Sequence, residues 1–101
     1  MGARLDLQAQ LEELLGSGNV YFQPPPNVTM SYPAIVYNRE WLNKHYADNI
    51  TYTMKVRWQV TVIDMDPDSV FPDKVAALPL TTFVRHYTSD NLNHDVYNVY
   101  F

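Results

Sequence analysis

Four side chains near the carboxyl end, His86, Asp90, His94 and Asp95, are of the types that bind zinc or move protons. Zinc takes imidazole nitrogen and carboxylate oxygen, and a histidine beside an aspartate can pass a proton near neutral pH. Their placement speaks against both. His86 and His94 fall in strands, at positions that can face opposite sides, and no nucleophile or oxyanion device accompanies them. Asp90, Asn91 and Asn93 are turn formers that hydrogen-bond their own backbone. A second cluster, Asp64, Asp66 and Asp68, has oxygen-rich spacing suited to calcium or magnesium. It lacks the glycine and the distal glutamate of a calcium loop, and Pro67 within it marks a turn before a helix. The expectation is a chain with no catalytic residues, no bound metal and no cofactor.

The remaining inventory points the same way. The chain has no glycine-rich phosphate loop, no GxSxG and no HExxH, and it holds only 3 glycines, two of them (Gly16 and Gly18) around the first turn. With no cysteine, disulfides, thiolate metal sites and cysteine nucleophiles are excluded. A net charge of −4 argues against a sequence-independent nucleic-acid binder, which needs a basic footprint. It argues equally against an electrostatic membrane binder. Lys55 and Arg57 share a strand with Trp58, but Trp58 points the other way, so it reads as a core residue beside a polar face. No apolar run reaches the length of a membrane helix, and the amino end lacks the charged-then-apolar order of a signal peptide.

These groups must be carried by a single domain, because 101 residues leave no room for two. Residues 3–15 read as an amphipathic helix with Leu7, Leu11, Leu14 and Leu15 on one stripe, stopped by Gly16. Val20–Gln23 reads as a short strand ended by Pro24, Pro25 and Pro26, a stiff, exposed tract that is either a connector or a rigid rim contact. Ala34–Arg39 is a second strand, with Ile35 and Tyr37 on one face and Val36 on the other. Residues 40–49 have no clean period and read as a long loop. Tyr52–Ile63 alternates apolar and polar residues, giving a long half-buried strand with one polar face. Asp68 or Ser69 caps a short helix reaching about Leu78, unless Pro72 moves its start to Phe71. Leu80–Tyr87 and His94–Phe101 form a hairpin whose turn, Asp90 to Asn93, exceeds the two-residue minimum. The fold class is therefore α+β: one mainly antiparallel sheet of about five strands, two helices on one face, order α-β-β-β-α-β-β.

Three stretches in order carry a family resemblance: Tyr46 to Tyr52 (YADNITY), Val60 to Ser69 (VTVIDMDPDS) and Phe83 to Tyr97 (FVRHYTSDNLNHDVY). From about Tyr32 to Phe101 the chain resembles the tail terminator, or tail completion, neck proteins of tailed bacteriophages. The resemblance implies a compact α+β domain in a hexameric ring on the last ring of tail tube protein, stopping its polymerisation. The ring would present its other surface to the head-side connector. It implies a virion protein, present in the host cytoplasm during assembly, with DNA passing through without specific binding. Nearby alternatives are a head-side stopper or adaptor, a small non-viral protein-binding module that takes a strand at a sheet edge, and a metal-dependent hydrolase built on His86, Asp90, His94 and Asp95.

A ring needs a head-to-tail interface whose rotation closes. Open sheet edges are natural pairing sites, and the aromatic-rich last strand is a candidate for one. Candidate protein contacts are Trp41, His45 and Tyr46 in the long loop, together with Arg85, Asp90 and His94. Large aromatics in a loop either anchor an interface or pack back onto the domain.

Overall fold

The computed structural model describes residues 3–40 and 56–101. The first helix, α1, spans Ala3–Leu15. Leu7, Leu11 and Leu15 recur every four residues, one face of a 3.6-residue period, and all three are buried. Gly16 ends the helix at φ +79°, with its N–H donating to the Glu12 carbonyl at 2.8 Å. Nothing lies within 4 Å of where a Cβ would sit. The conformation, not the space, therefore calls for glycine.

Five strands follow in one sheet: β1 (Val20–Phe22), β2 (Ala34–Glu40), β3 (Arg57–Asp64), β4 (Thr81–Ser89) and β5 (Leu92–Tyr100), with a short helix α2 (Phe71–Ala76) between β3 and β4. Their spatial order is β1-β2-β3-β5-β4. β1 runs parallel to β2 and every other pair is antiparallel. The chain is thus α+β with the predicted element order.

Register decides which residues meet the helices. Ile35 opposes Val62, Tyr37 opposes Val60, and Val60 opposes Tyr97. These side chains share one face, where they join Leu7, Leu11, Leu15 and Val75 in the core. Phe22, Tyr37 and Trp58 form an aromatic cluster there, with ring centroids 5.0–6.1 Å apart. Gln8 ties the helix to the sheet: its carboxamide accepts from the Tyr37 hydroxyl and donates to the Val20 carbonyl at 3.2 Å.

The structure corrects three expectations and decides one alternative. The hairpin turn is of two residues, because Ser89 pairs with Leu92 and only Asp90 and Asn91 lie between them. The last strand is no edge: β5 lies between β3 and β4, and among the described strands the edges are β1 and β4. α2 starts at Phe71, the later of the two starts the sequence allowed; its N-cap is Val70, which makes no side-chain cap, and the Ser69 hydroxyl accepts from the Phe71 N–H. The polar face of β3 is not open along its length, as Thr61 is only 9% exposed. The long connection from β1 to β2, which holds the three prolines, lies over that face. Of the strand expected over Tyr52–Ile63, the described part runs from Arg57 and continues to Asp64.

Candidate assembly surface

The β4–β5 hairpin carries most of the residues expected to act. Asp90 and Asn91 both have positive φ, 54° and 63°, as a two-residue hairpin turn demands. From that turn the register follows, with His86 opposite Asp95 and Tyr87 opposite His94. Adjacent positions on a strand face opposite ways, so His86 and His94 stand on different faces. On the helix side, His86 Nδ1 lies 2.7 Å from Asp95 Oδ1. On the other side, the Tyr87 ring stacks on His94 with centroids 4.6 Å apart and planes 10° from parallel. The Arg85 guanidinium sits 5.3 Å from the Tyr87 centroid.

This arrangement separates the four residues that could have held zinc. Among the described residues, no group of three or more histidine, aspartate or glutamate side chains is placed to hold a metal ion. His86 and Asp95 form one histidine–aspartate contact on the helix side, with the His86 side chain 47% exposed. The acidic cluster turns onto its own backbone: Asp64 Oδ1 accepts from the Asp66 N–H at 3.1 Å, and Asp66 Oδ1 from the Asp68 N–H at 2.9 Å. Carboxylates so used shape a turn. What the structure does unite is Arg85 with His94, through Tyr87. Sequence reasoning missed Tyr87; its spacing two residues from Arg85, on the same face of a strand, was the available signal.

The two sheet edges differ sharply. β4 is exposed from Thr82 to Ser89 on both faces, and Phe83 and Val84 stand 54% and 43% exposed. No proline interrupts it; its protection consists of Arg85 and a bulge between Phe83 and Arg85. β1 is protected more heavily. It has three residues, its Val20 carbonyl is taken by Gln8, and Gln23 at φ 42° leads into the prolines. Strand addition to this sheet is therefore open at β4 and hindered at β1.

Between the proline-bearing connection and the face of the sheet lies a groove of about 340 Å³. Its floor is made by the cross-strand partners Asn38 and Gln59, with Val36 and Thr61 beside them. Pro24, Pro26, Val28 and Met30 form a wall, and Tyr87 and His94 also line it.

Two side chains beside these surfaces are shifted in their acidity. Burial pushes the Tyr97 phenol up to about 12, and the nearby Asp95 and Asp73 carboxylates add to that. Its hydroxyl donates to the Pro72 carbonyl at 3.0 Å, joining β5 to α2. Arg57 is desolvated, which opposes its charge, but a hydrogen bond with Tyr100 and the Glu40 carboxylate outweigh this and raise its pKa. Arg57 Nε and Glu40 Oε1 are 2.6 Å apart, an ion pair that joins the end of β2 to the start of β3.

Arg85 and Asp90 lie exposed on the hairpin and His94 is half-buried beneath it, whereas Trp41, His45 and Tyr46 lie outside the described residues. Among the described residues, no helix is long and apolar enough to cross a membrane. Comparison with protein-family models, with curated proteins and with solved structures finds no match to this chain.

Proposed function

We propose that this protein works by assembly, joining other subunits through the open β4 edge, and that it acts as a ring protein of a phage neck. In this reading a hexameric ring caps the tail tube, ends its growth and joins it to the head-side connector. The observation that carries the assembly step is the β4 strand, nine residues with an edge unpaired among the described residues and with exposed Phe83 and Val84. The tail-terminator identity draws its support from the ordered sequence stretches, two of which form the β3 end and the β4–β5 hairpin. Proposed contacts are Arg85, Asp90 and His94 on the hairpin, with Trp41, His45 and Tyr46.

A ring interface joins two different patches of the subunit. Because β1 is protected, β4 would meet a neighbour's surface other than the β1 edge. The test is solution mass by light scattering, followed by electron microscopy of the protein mixed with purified tail tubes. Rings seated on tube ends are expected. A monomer that leaves the ends bare would overturn the reading, and binding to the portal side alone would favour a head-side adaptor. The same free edge favours one other reading, a small module that takes an extended peptide as a further strand.

A further inference from the structure

We propose that the β4 edge takes, as a further strand, an extended acidic segment of a partner protein, with a carboxylate set opposite Arg85. The proposal rests on the strand-taking reading above and names the chemistry of what that edge accepts.

The run from Arg85 to Ser89 supplies the backbone. A bulge between Phe83 and Arg85 interrupts the strand, but from Arg85 to Ser89 the register with β5 is unbroken, Arg85 opposite Val96 through to Ser89 opposite Leu92. Every residue of this run is exposed. Its main-chain groups that point away from β5 meet no other described strand. An extended chain presents donors and acceptors at the spacing such an edge needs.

Arg85 supplies the charge. Its guanidinium sits 5.3 Å from the Tyr87 ring centroid, and among the described residues no carboxylate forms an ion pair with it. His86, by contrast, has Asp95 at 2.7 Å. Asp95 stands on the helix side of the sheet and Arg85 on the other, so that carboxylate does not serve Arg85. A strand laid along β4 with Asp or Glu across from Arg85 gains a cross-strand ion pair, whereas Lys there meets a like charge.

The same feature separates a partner protein from a second copy. Thr81–Ser89 contains no Asp or Glu, so no register of β4 against the β4 of a copy sets a carboxylate opposite Arg85. Val20–Phe22 contains none either, so the β1 edge of a copy does not supply one. Tyr87 lies two residues from Arg85 on the same face and is 39% exposed. The segment therefore carries an apolar residue two positions from its carboxylate, where it meets that ring.

The experiment uses the full chain labelled with nitrogen-15 and the blocked peptide Ac-TTEVVTT-NH2, with versions in which Gln or Lys replaces the Glu and one, Ac-TTEPVTT-NH2, in which Pro interrupts the strand. Backbone amide signals of β4 are followed by NMR at low salt. Saturable shifts from Arg85 to Ser89 are expected with the Glu peptide, together with slower exchange of the outward-facing amides. The Glu peptide should bind at least about threefold tighter than the Lys peptide, with Gln between them, and the gap should narrow at high salt. The Pro peptide should bind more weakly than its parent. Arg85→Glu should reverse the order of the Glu and Lys peptides. Arg85→Gln should erase it, which keeps the test sound if the charge reversal disturbs the strand. If no peptide shifts β4, the strand-taking reading and the proposal fall together. If the Glu and Lys peptides bind alike, or the Glu preference survives Arg85→Glu, the edge takes strands and the proposal alone falls. Outward-facing β4 amides already protected from exchange in the free chain would place a second copy on the edge and overturn the proposal as well.

Discussion

Tyr87 lies flat on His94, with centroids 4.6 Å apart, on the sheet face that carries the proline-lined groove. The stack joins the exposed edge strand to the interior strand β5 and holds Arg85 near its ring. Because β4 pairs with only one of the described strands, β5, such cross-strand pairs contribute much of what keeps it in place. A double-mutant cycle of Tyr87→Ala and His94→Ala should give a coupling of about 0.5–1 kcal/mol in urea unfolding, typical of an aromatic pair beyond its area burial. Strictly additive effects would show that the rings are only neighbours.

The hairpin turn makes a second, opposite pair of demands. Asp90 at φ 54° and Asn91 at φ 63° occupy a region that costs most L-residues about 1–2 kcal/mol and costs Asn and Asp less. Asn91→Gly should therefore raise stability by a few tenths of a kcal/mol, and Asp90→Val should lower it by about 1–2 kcal/mol. Thermal melts of both variants check this. A neutral Asp90→Val would mean that the turn re-forms with a different length.

The same turn shows where sequence reading runs short. Asp90, Asn91 and Asn93 are all turn formers, so composition marked Asp90 to Asn93 as a turn of four residues. The pairing of Ser89 with Leu92 shortens it, because Leu92 continues the ladder of β5. By contrast, the four-residue spacing of Leu7, Leu11 and Leu15 and the alternation of Ile35 and Tyr37 with Val36 predicted their burial correctly, as each pattern is local. Strand order is not local. Placing β5 inside and β4 at the edge follows from β3 pairing with β5 across the intervening α2, which no periodicity reports. The burial of Thr61 was hidden for the same reason, since the cover comes from the connection before β2. Of the candidate site, Arg85 and His94 were legible as types, but the Tyr87 ring that joins them was not.

If β4 is the joining edge, charge placed on it should prevent association and leave the subunit folded. Phe83 and Val84 are 54% and 43% exposed, so lysine at either position displaces little core beyond the edge-to-face contact of Phe83 with the Tyr97 ring at 5.5 Å. F83K/V84K should run near the monomer mass of 11.7 kDa by light scattering, with melting lowered by no more than a few degrees. Assembly that survives both lysines would move the interface away from β4. A control at β1, Phe22→Lys, would be uninformative, because Phe22 packs against Tyr37 and Trp58 in the core.

Tyr97 gives the fold a definite response to alkali. Its phenol is raised from its ordinary 10.0 to about 12 by burial first and the Asp95 and Asp73 carboxylates second. Below pH 10 the phenol is protonated in both the folded and the unfolded chain, so its stabilising contribution is fully present. Between pH 10 and about 12 the unfolded chain has released a proton that the folded chain still holds, and stability falls as pH rises. Tyr97→Phe removes this alkaline response. It also leaves the Pro72 carbonyl without its 3.0 Å donor, which should cost about 0.5–1.5 kcal/mol near neutral pH. Urea midpoints at pH 8 and pH 11 separate the two effects. The variant should start lower at pH 8 and lose less than the parent chain on moving to pH 11. An equal loss in both proteins would place the alkaline response on other groups and remove Tyr97 from it.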